Sequence, residues 1–298
     1  MSTATADLPK PVTHDSAVLR LNKTGKWYPD PDQPKLKSQI LRNIDLKVDK
    51  ADFVTVVGAS GCGKSTLLAG IGGFTPFNEG TAEIRIGEKW EPIGEPNRHR
   101  GVVFQDYPVP EFLTARDNVA LGPNLHRLGL LANSIPWLAR KAKAGHYELA
   151  DELIQNVGLA EHAHKFPGEL SGGQRQRVAI AQAMAMHPEI LLMDEPFSGL
   201  DPTSRENLQV LVQKLHSRLK NTIFFVTHDL EEAVYLGTRI IVLAKEKRPK
   251  EGSPDELENI PGAVIIHEQT LEEYKTPESK GSKEFAELVR FLRTKITK

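Results

Sequence analysis

Nine residues restrict this chain more than any others: GASGCGKST, Gly58 to Thr66, placed between an apolar run, FVTVVG (Phe53 to Gly58), and a helix-like stretch from Gly63 to Ile71. An apolar run without polar alternation reads as a strand buried on both faces, and such strands belong to parallel sheets with crossover helices. The turn that follows fits G-x-x-x-x-G-K-[ST] in the strand-to-helix context that the pattern requires. Gly58, Gly61 and Gly63 let the backbone of Ala59, Ser60 and Cys62 curl until its N–H groups converge. The helix start adds a partial positive charge at the same point. Lys64 supplies a full charge there, and the hydroxyls of Ser65 and Thr66 follow. The assembly is suited to the β- and γ-phosphates of a nucleotide, with Ser65 offering an oxygen ligand to Mg²⁺. Cys62 reads as a small residue that fits the loop.

The buried-strand signature recurs at GVVFQ (Gly101 to Gln105), EILLMDE (Glu189 to Glu195), TIFFVTH (Thr222 to His228) and RIIVLA (Arg239 to Ala244). Helical patterns lie between most of these runs, including Gln174 to Met186, Arg205 to Leu219 and Leu230 to Leu236. ILRNIDLKV (Ile40 to Val48) alternates like a half-buried strand, and Val18 to Leu21 suggests another. The expected fold is α/β, with a parallel sheet, an antiparallel β portion at its front and an inserted helical subdomain over about residues 106–187. Residues 1–17 read as a mobile tail, 18–248 as the main domain and 249–298 as a C-terminal appendage ending in a helix from Lys283 to Ile296. The proline-dense segment from Trp27 to Gln39 predicts a loop.

Composition narrows the function. Lys and Arg number 38 against 39 Asp and Glu, so no excess of positive charge exists to neutralise a nucleic-acid backbone. No apolar run approaches the roughly 20 residues of a membrane-spanning helix. The single cysteine can form no internal disulfide, and the first residues lack the pattern of a secretory leader, so a cytoplasmic location is expected.

A second anion-binding feature appears at LSGGQ, Leu170 to Gln174. Ser171 reads as the N-cap of the helix that follows, with Gly172 and Gly173 leaving backbone N–H groups open. Asp194 and Glu195 close a buried strand at its C-terminal end, where ligand sites of parallel sheets collect.

With these motifs in this order, the chain resembles the ATP-binding cassette (ABC) family over roughly Val18 to Ala244, as a P-loop NTPase. The resemblance implies that Ser171 to Gln174 contact the γ-phosphate of ATP held by a partner subunit. Two ATP molecules would then be sandwiched in a head-to-tail homodimer between those residues and Gly58 to Thr66. It further implies that Asp194 holds Mg²⁺ through water and that Glu195 polarises the attacking water. Gln105 would touch both the metal and that water, and His228 would contact the γ-phosphate. Asp201, in SGLD (Ser198 to Asp201), would line the dimer interface. Adenine would stack on Tyr28 or on its neighbour Trp27.

Within the family, THDLEEAVYLGTRIIVL in a short stand-alone cassette is similar to importer subunits of the nitrate, sulfonate and taurine group. FQDYPVPEFLTARDNVALG resembles the corresponding stretch of that group, with a different centre at DYPVPEF. The implied partners are transmembrane permease subunits, a second ATP-binding subunit and, through the permease, an extracytoplasmic solute-binding protein. The implied location is peripheral, on the cytoplasmic face of the membrane. An export or lipid-handling cassette is the alternative, ahead of a soluble cassette in DNA repair or translation. The helical part carries an extra LLANSIPWLARKAKAG, whose Ile135 and Trp137 could meet the membrane partner or fill the core.

Overall fold

The computed structural model describes residues 16–29, 36–106, 108–127, 136–250, 253–271 and 276–297. In chain order the strands are β1 (Ala17–Pro29), β2 (Lys37–Asp49), β3 (Phe53–Val57), β4 (Glu79–Ile86), β5 (Lys89–Pro92), β6 (Arg100–Val103), β7 (Ile190–Asp194), β8 (Thr222–Val226), β9 (Arg239–Lys250) and β10 (Ser253–Thr270). They form one sheet in the order β5-β4-β1-β2-β10-β9-β3-β8-β7-β6. From β9 to β6 neighbours run parallel, while β5, β4, β1 and β2 pair antiparallel. The helices are α1 (Lys64–Gly72), α2 (Ala115–Arg127), α3 (Pro136–Asn156), α4 (Gly172–Met184), α5 (Pro202–Leu219), α6 (Leu230–Leu236) and α7 (Lys283–Thr297).

Side-chain alternation explains why the central strands are almost wholly apolar, with buried Thr55 of β3 and Thr222 of β8 among the polar exceptions. Phe53 and Val57 of β3, Leu191 and Met193 of β7, Ile223 and Phe225 of β8, and Ile240 and Val242 of β9 join a core with α4, α5, α6 and α7. The intervening Val54, Val56, Ile190, Leu192, Phe224, Val226, Ile241 and Leu243 join a second core with Leu67, Leu68 and Ile71 of α1 and with the antiparallel strands. A strand covered on both sides has no face on which a polar residue is cheap. β2, by contrast, buries Ile44, Leu46 and Val48 and exposes residues between them, as its alternation predicts.

Between Gln105 and Ser171 the described residues contain α2, α3 and two short 3₁₀ turns, and no strand. Among the described residues no helix is long and apolar enough to cross a membrane. Of the extra segment, residues 130–135, Ile135 included, and the side chain of Trp137 lie outside what is described, as do residues 1–15 of the expected tail.

Three expectations are corrected. The segment from Trp27 to Gln39 is not loop throughout, because Trp27 pairs with Gln39, Tyr28 with Ser38 and Pro29 with Lys37. Antiparallel pairing of the two long strands outweighs the local proline signal, and Pro29 is tolerated at the strand end. The first strand opens at Ala17, assigned to the tail but fully buried. The region after residue 248 is no appendage: β10 lies inside the sheet between β9 and β2, and Phe285, Val289 and Leu292 of α7 belong to the main core.

Candidate active site

The loop after β3 is shaped by a close approach. A Cβ on Gly58 would lie 2.2 Å from the carbonyl oxygen of Leu243, so only glycine lets the chain leave β3 alongside β9. Gly63, at φ 102, caps α1 in the left-handed region that glycine occupies freely. Lys64 is 6% exposed, and its Nζ donates to the carbonyls of Gly58 at 2.9 Å and Ala59 at 3.1 Å. Its charge is thereby held over the loop, among the backbone groups of residues 58–64. Burial raises the Cys62 thiol pKa, against the opposing pull of Lys64, so this sulfur is a packed neutral group and not an activated nucleophile.

The acids stand at the end of β7, beside the start of α1. Ser65 Oγ donates to Asp194 Oδ1 at 3.1 Å. Burial pushes the Asp194 carboxyl up and the neighbouring Glu195 charge adds to this, while the Ser65 bond and Lys64 oppose. Glu195 adopts φ 43, unusual for a side chain larger than glycine, and its N–H donates to Val226 of β8 at 2.9 Å. Its Oε2 lies 3.0 Å from Nδ1 of His228. An ionised carboxylate only accepts, so Nδ1 carries the hydrogen and Nε2 is left for another partner. The His228 side chain is 67% exposed, which keeps that nitrogen within reach of a ligand. Gln105, two residues beyond β6, approaches Ser198 Oγ at 3.5 Å, and Ser198 N–H returns to the Glu195 carbonyl at 3.1 Å. Gln105, Ser198, Glu195 and His228 are thus linked in one string.

The helix start at Ser171 to Gln174 has the N-cap that the sequence suggests and stands apart from the loop after β3. Ser171 caps α4, accepting from Gln174 N–H at 3.3 Å, while its own N–H donates to Gln174 Oε1 at 2.9 Å. The start of α4 packs beside the start of α5, where a Cβ on Gly173 would meet Ser204 at 3.6 Å. Asp201 caps α5 through Ser204 N–H at 3.0 Å. Among the described residues no hydrogen bond joins 171–174 to 58–66. The Tyr28 ring, 40% exposed, faces the Lys26 ammonium at 4.6 Å, and the Trp27 ring faces Lys37 at 3.9 Å.

Sequence reasoning missed the groups around His228. Asp229 caps α6 through Glu231 and Glu232 N–H, and Thr227 and Glu232 are bonded to each other. The signal was available, since Asp229 followed three residues later by Glu232 is a helix-start pattern.

The chain is similar to known proteins over most of its length. The family model described as ABC transporter matches residues 41–198. The nitrate import ATP-binding protein NrtD of Synechococcus elongatus is 36% identical over 240 residues, 80% of this chain and 81% of that protein. The taurine import ATP-binding protein TauB of Rhizobium johnstonii is 42% identical over 68% of this chain and 71% of its own length. The bicarbonate transport ATP-binding protein CmpD of a Synechocystis strain is 35% identical over 76% and 74%. Among solved structures, the dimeric ATP-binding cassette MJ0796 in a post-hydrolysis state with ADP and Pi matches with a TM-score of 0.63 and 28% identity, covering 85% of this chain and 99% of that one. A family model over more than half of the chain, and relatives at 36% and 42% identity that cover more than two thirds of it, make it a member of the ABC transporter family, the ATP-hydrolysing cassette that powers a transporter.

Proposed function

We propose that the chain is the ATPase subunit of an importer of a small anion or organic solute of the nitrate, sulfonate or taurine kind. In this reading two copies bind permease subunits on the cytoplasmic face of the membrane, and the permease receives solute from an extracytoplasmic binding protein. The substrate class rests on relatives named for nitrate, taurine and bicarbonate. The catalytic assignment rests on one observation: Ser65–Asp194 and Glu195–His228 converge beside the loop that holds Lys64.

Lys64 and the loop N–H groups bind the β- and γ-phosphates of ATP. Ser65 and Asp194 present a hydroxyl and a carboxylate 3.1 Å apart, an all-oxygen donor pair suited to Mg²⁺, with Gln105 as a further oxygen ligand. Such an ion, when bound, neutralises charge on the phosphates. Glu195 accepts a proton from the attacking water, with Gln105 helping to orient it. His228 keeps the Glu195 carboxylate in place through Nδ1 and offers Nε2 to the γ-phosphate. Asp201 lines the dimer seam, and Tyr28 or Trp27 stacks on adenine. Ser171 to Gln174 of the second copy complete the γ-phosphate contacts, so ATP binds the closed pair more tightly than the open one and product release reopens it.

The test uses the full chain reconstituted with its permease in vesicles, following ATP-dependent uptake of labelled nitrate and taurine. Uptake that requires Lys64 supports the reading, and Lys64→Ala should weaken nucleotide binding by titration. Unchanged nucleotide affinity in that variant would remove the loop from its role. Transport of neither solute would overturn the substrate class.

A further inference from the structure

A chain of buried and part-buried hydrogen bonds runs from the C-terminal segment to the residues on either side of His228. Lys280, in a 3₁₀ turn at Pro277–Gly281, donates through Nζ to Gln209 Oε1 at 2.8 Å. Gln209 Nε2, on α5, donates to Glu232 Oε1 at 3.3 Å. Thr227 Oγ1 donates to Glu232 Oε2 at 2.9 Å and accepts from Asp229 N–H at 3.0 Å. Gln209, Glu232 and Thr227 are 3%, 7% and 2% exposed, so water competes little for the two bonds among them.

The chain has a direction. An ammonium can only donate, so Lys280 turns the Gln209 carbonyl toward itself and leaves the amide NH₂ for Glu232. The Glu232 carboxylate then accepts from both sides, which turns the Thr227 hydroxyl hydrogen toward it and frees a lone pair for Asp229 N–H. Both chain neighbours of His228 are fixed by this polarity. Arg205 adds charge at 3.7 Å from Glu232 and 3.9 Å from Asp229. Burial pushes the Glu232 carboxyl pKa up, with the Thr227 bond opposing, so the surrounding donors work against burial to keep it an acceptor. The Lys280 ammonium also lies 4.0 Å from the centre of the Tyr235 ring of α6. The same C-terminal segment walls the cleft next to the nucleotide loop, which Arg293 and Ile296 share with Ser60 and His228.

We propose that Lys280 is a positioning residue for His228, acting through Gln209, Glu232 and Thr227, so that the C-terminal segment sets the competence of the hydrolytic site in its own subunit. The inference rests on the assignment of His228 to the γ-phosphate.

The experiment compares Lys280→Met, which keeps an apolar stem against Tyr235 and removes the donor, with Lys280→Arg, which keeps a cationic donor. Steady-state kcat and KM for MgATP, binding of a fluorescent ATP analogue and thermal midpoints are measured on the full chain. The expected result for Lys280→Met is a fall in kcat of about tenfold with nucleotide affinity within about twofold of wild type, because a misplaced group costs rate more than binding. Lys280→Arg should recover most of that rate. In a His228→Ala background, Lys280→Met should change the residual rate by less than about twofold, since groups acting as a unit are not additive. Thr227→Val should reproduce the kcat loss and Thr227→Ser should rescue it, so the idea is tested even where Lys280→Met folds poorly. A wild-type kcat in Lys280→Met beside an inactive His228→Ala overturns the positioning role alone, as does a loss that adds in full to His228→Ala. A His228→Ala chain at full rate removes the underlying assignment and this inference with it.

Discussion

Glu195 tests the link between strain and catalysis. Its backbone sits at φ 43, where a side chain costs about 1–2 kcal/mol relative to a right-handed conformation. Glu195→Gly relieves that cost but loosens the unfolded chain by about 0.4–1 kcal/mol. The lost contact with His228, 67% exposed, weighs little because exposed pairs contribute about 0–1 kcal/mol. These terms nearly cancel, so stability should change by no more than about 1 kcal/mol, or roughly 3 °C in Tm for a chain of this size. The catalytic term does not cancel. Removing a general base costs about 10²–10⁴ in rate, roughly 2.7–5.4 kcal/mol of barrier. Glu195→Gln and Glu195→Gly should therefore both abolish measurable phosphate release while melting near wild type, and Glu195→Gln should run as an ATP-dependent dimer on size exclusion. Glu195→Gln turning over within about threefold of wild type would refute the base assignment. A fall of more than about 5 °C in Glu195→Gly would refute the strain argument.

Gly58→Ala should be far more damaging than Gly61→Ala. The first puts a Cβ 2.2 Å from backbone oxygen, whereas the second, at φ 71, meets nothing within 4 Å. Overpacking of about 1–3 kcal/mol plus a displaced loop predicts lost ATPase activity and a lower melting point for Gly58→Ala, against about 1 kcal/mol of backbone strain for Gly61→Ala. Equal melting points would refute the close-approach reading. The Glu232 carboxyl has a raised folded pKa, so its titration contributes stability that is present below its ordinary value of 4.5 and lost as pH rises through the folded value. Melting curves of wild type and Glu232→Gln from acid to neutral pH should therefore shift in favour of the variant as pH increases. A pH-independent difference would refute the direction of that shift.

Legibility from sequence followed the number of physical constraints per residue. Buried parallel strands could be read because β3, β7, β8 and the first half of β9 are apolar on both faces, a pattern few other structures need. The loop, the acid pair and the capped helix at Ser171 combine restricted residue types with fixed spacing. β4 and β5 were not legible, because EGTAEIRI is exposed or half-exposed apart from Ile84, KWEP is mostly exposed, and both owe their strand state to pairing with β1 and with each other. β10 was read as appendage because only GAVII, Gly262 to Ile266, shows an apolar signature, and its place in the sheet depends on β9 and on β2, the latter distant in sequence. Lys280 was invisible for the same reason: its partner Gln209 is 71 positions away, and a lone lysine carries no pattern.

Three departures from local rules share one edge of the sheet, while other left-handed residues, Lys23, Asn43, Ala51, His187 and Lys220, lie elsewhere. Gly58, Glu195 and Asp194 lie at the C-terminal ends of β3 and β7, where they bring a close backbone approach, a left-handed acid and a carboxyl whose pKa burial raises. Inside β3 and β7 the neighbouring residues are buried and apolar apart from Thr55, whose hydroxyl donates to the Ala233 carbonyl, so a packed core supports the strained site. Lys64 follows from the same arrangement. Its ammonium already holds the Gly58 and Ala59 carbonyls, so in the proposed binding mode a phosphate would compete with bonds the loop makes to itself. Nucleotide affinity is then a difference between two sets of charge-assisted bonds, each worth about 1.5–3 kcal/mol, and is smaller than the new contacts alone would give. On the proposed role of Lys64, carbonyls that gave up the lysine on binding would take it back when the phosphate leaves, which would favour product release.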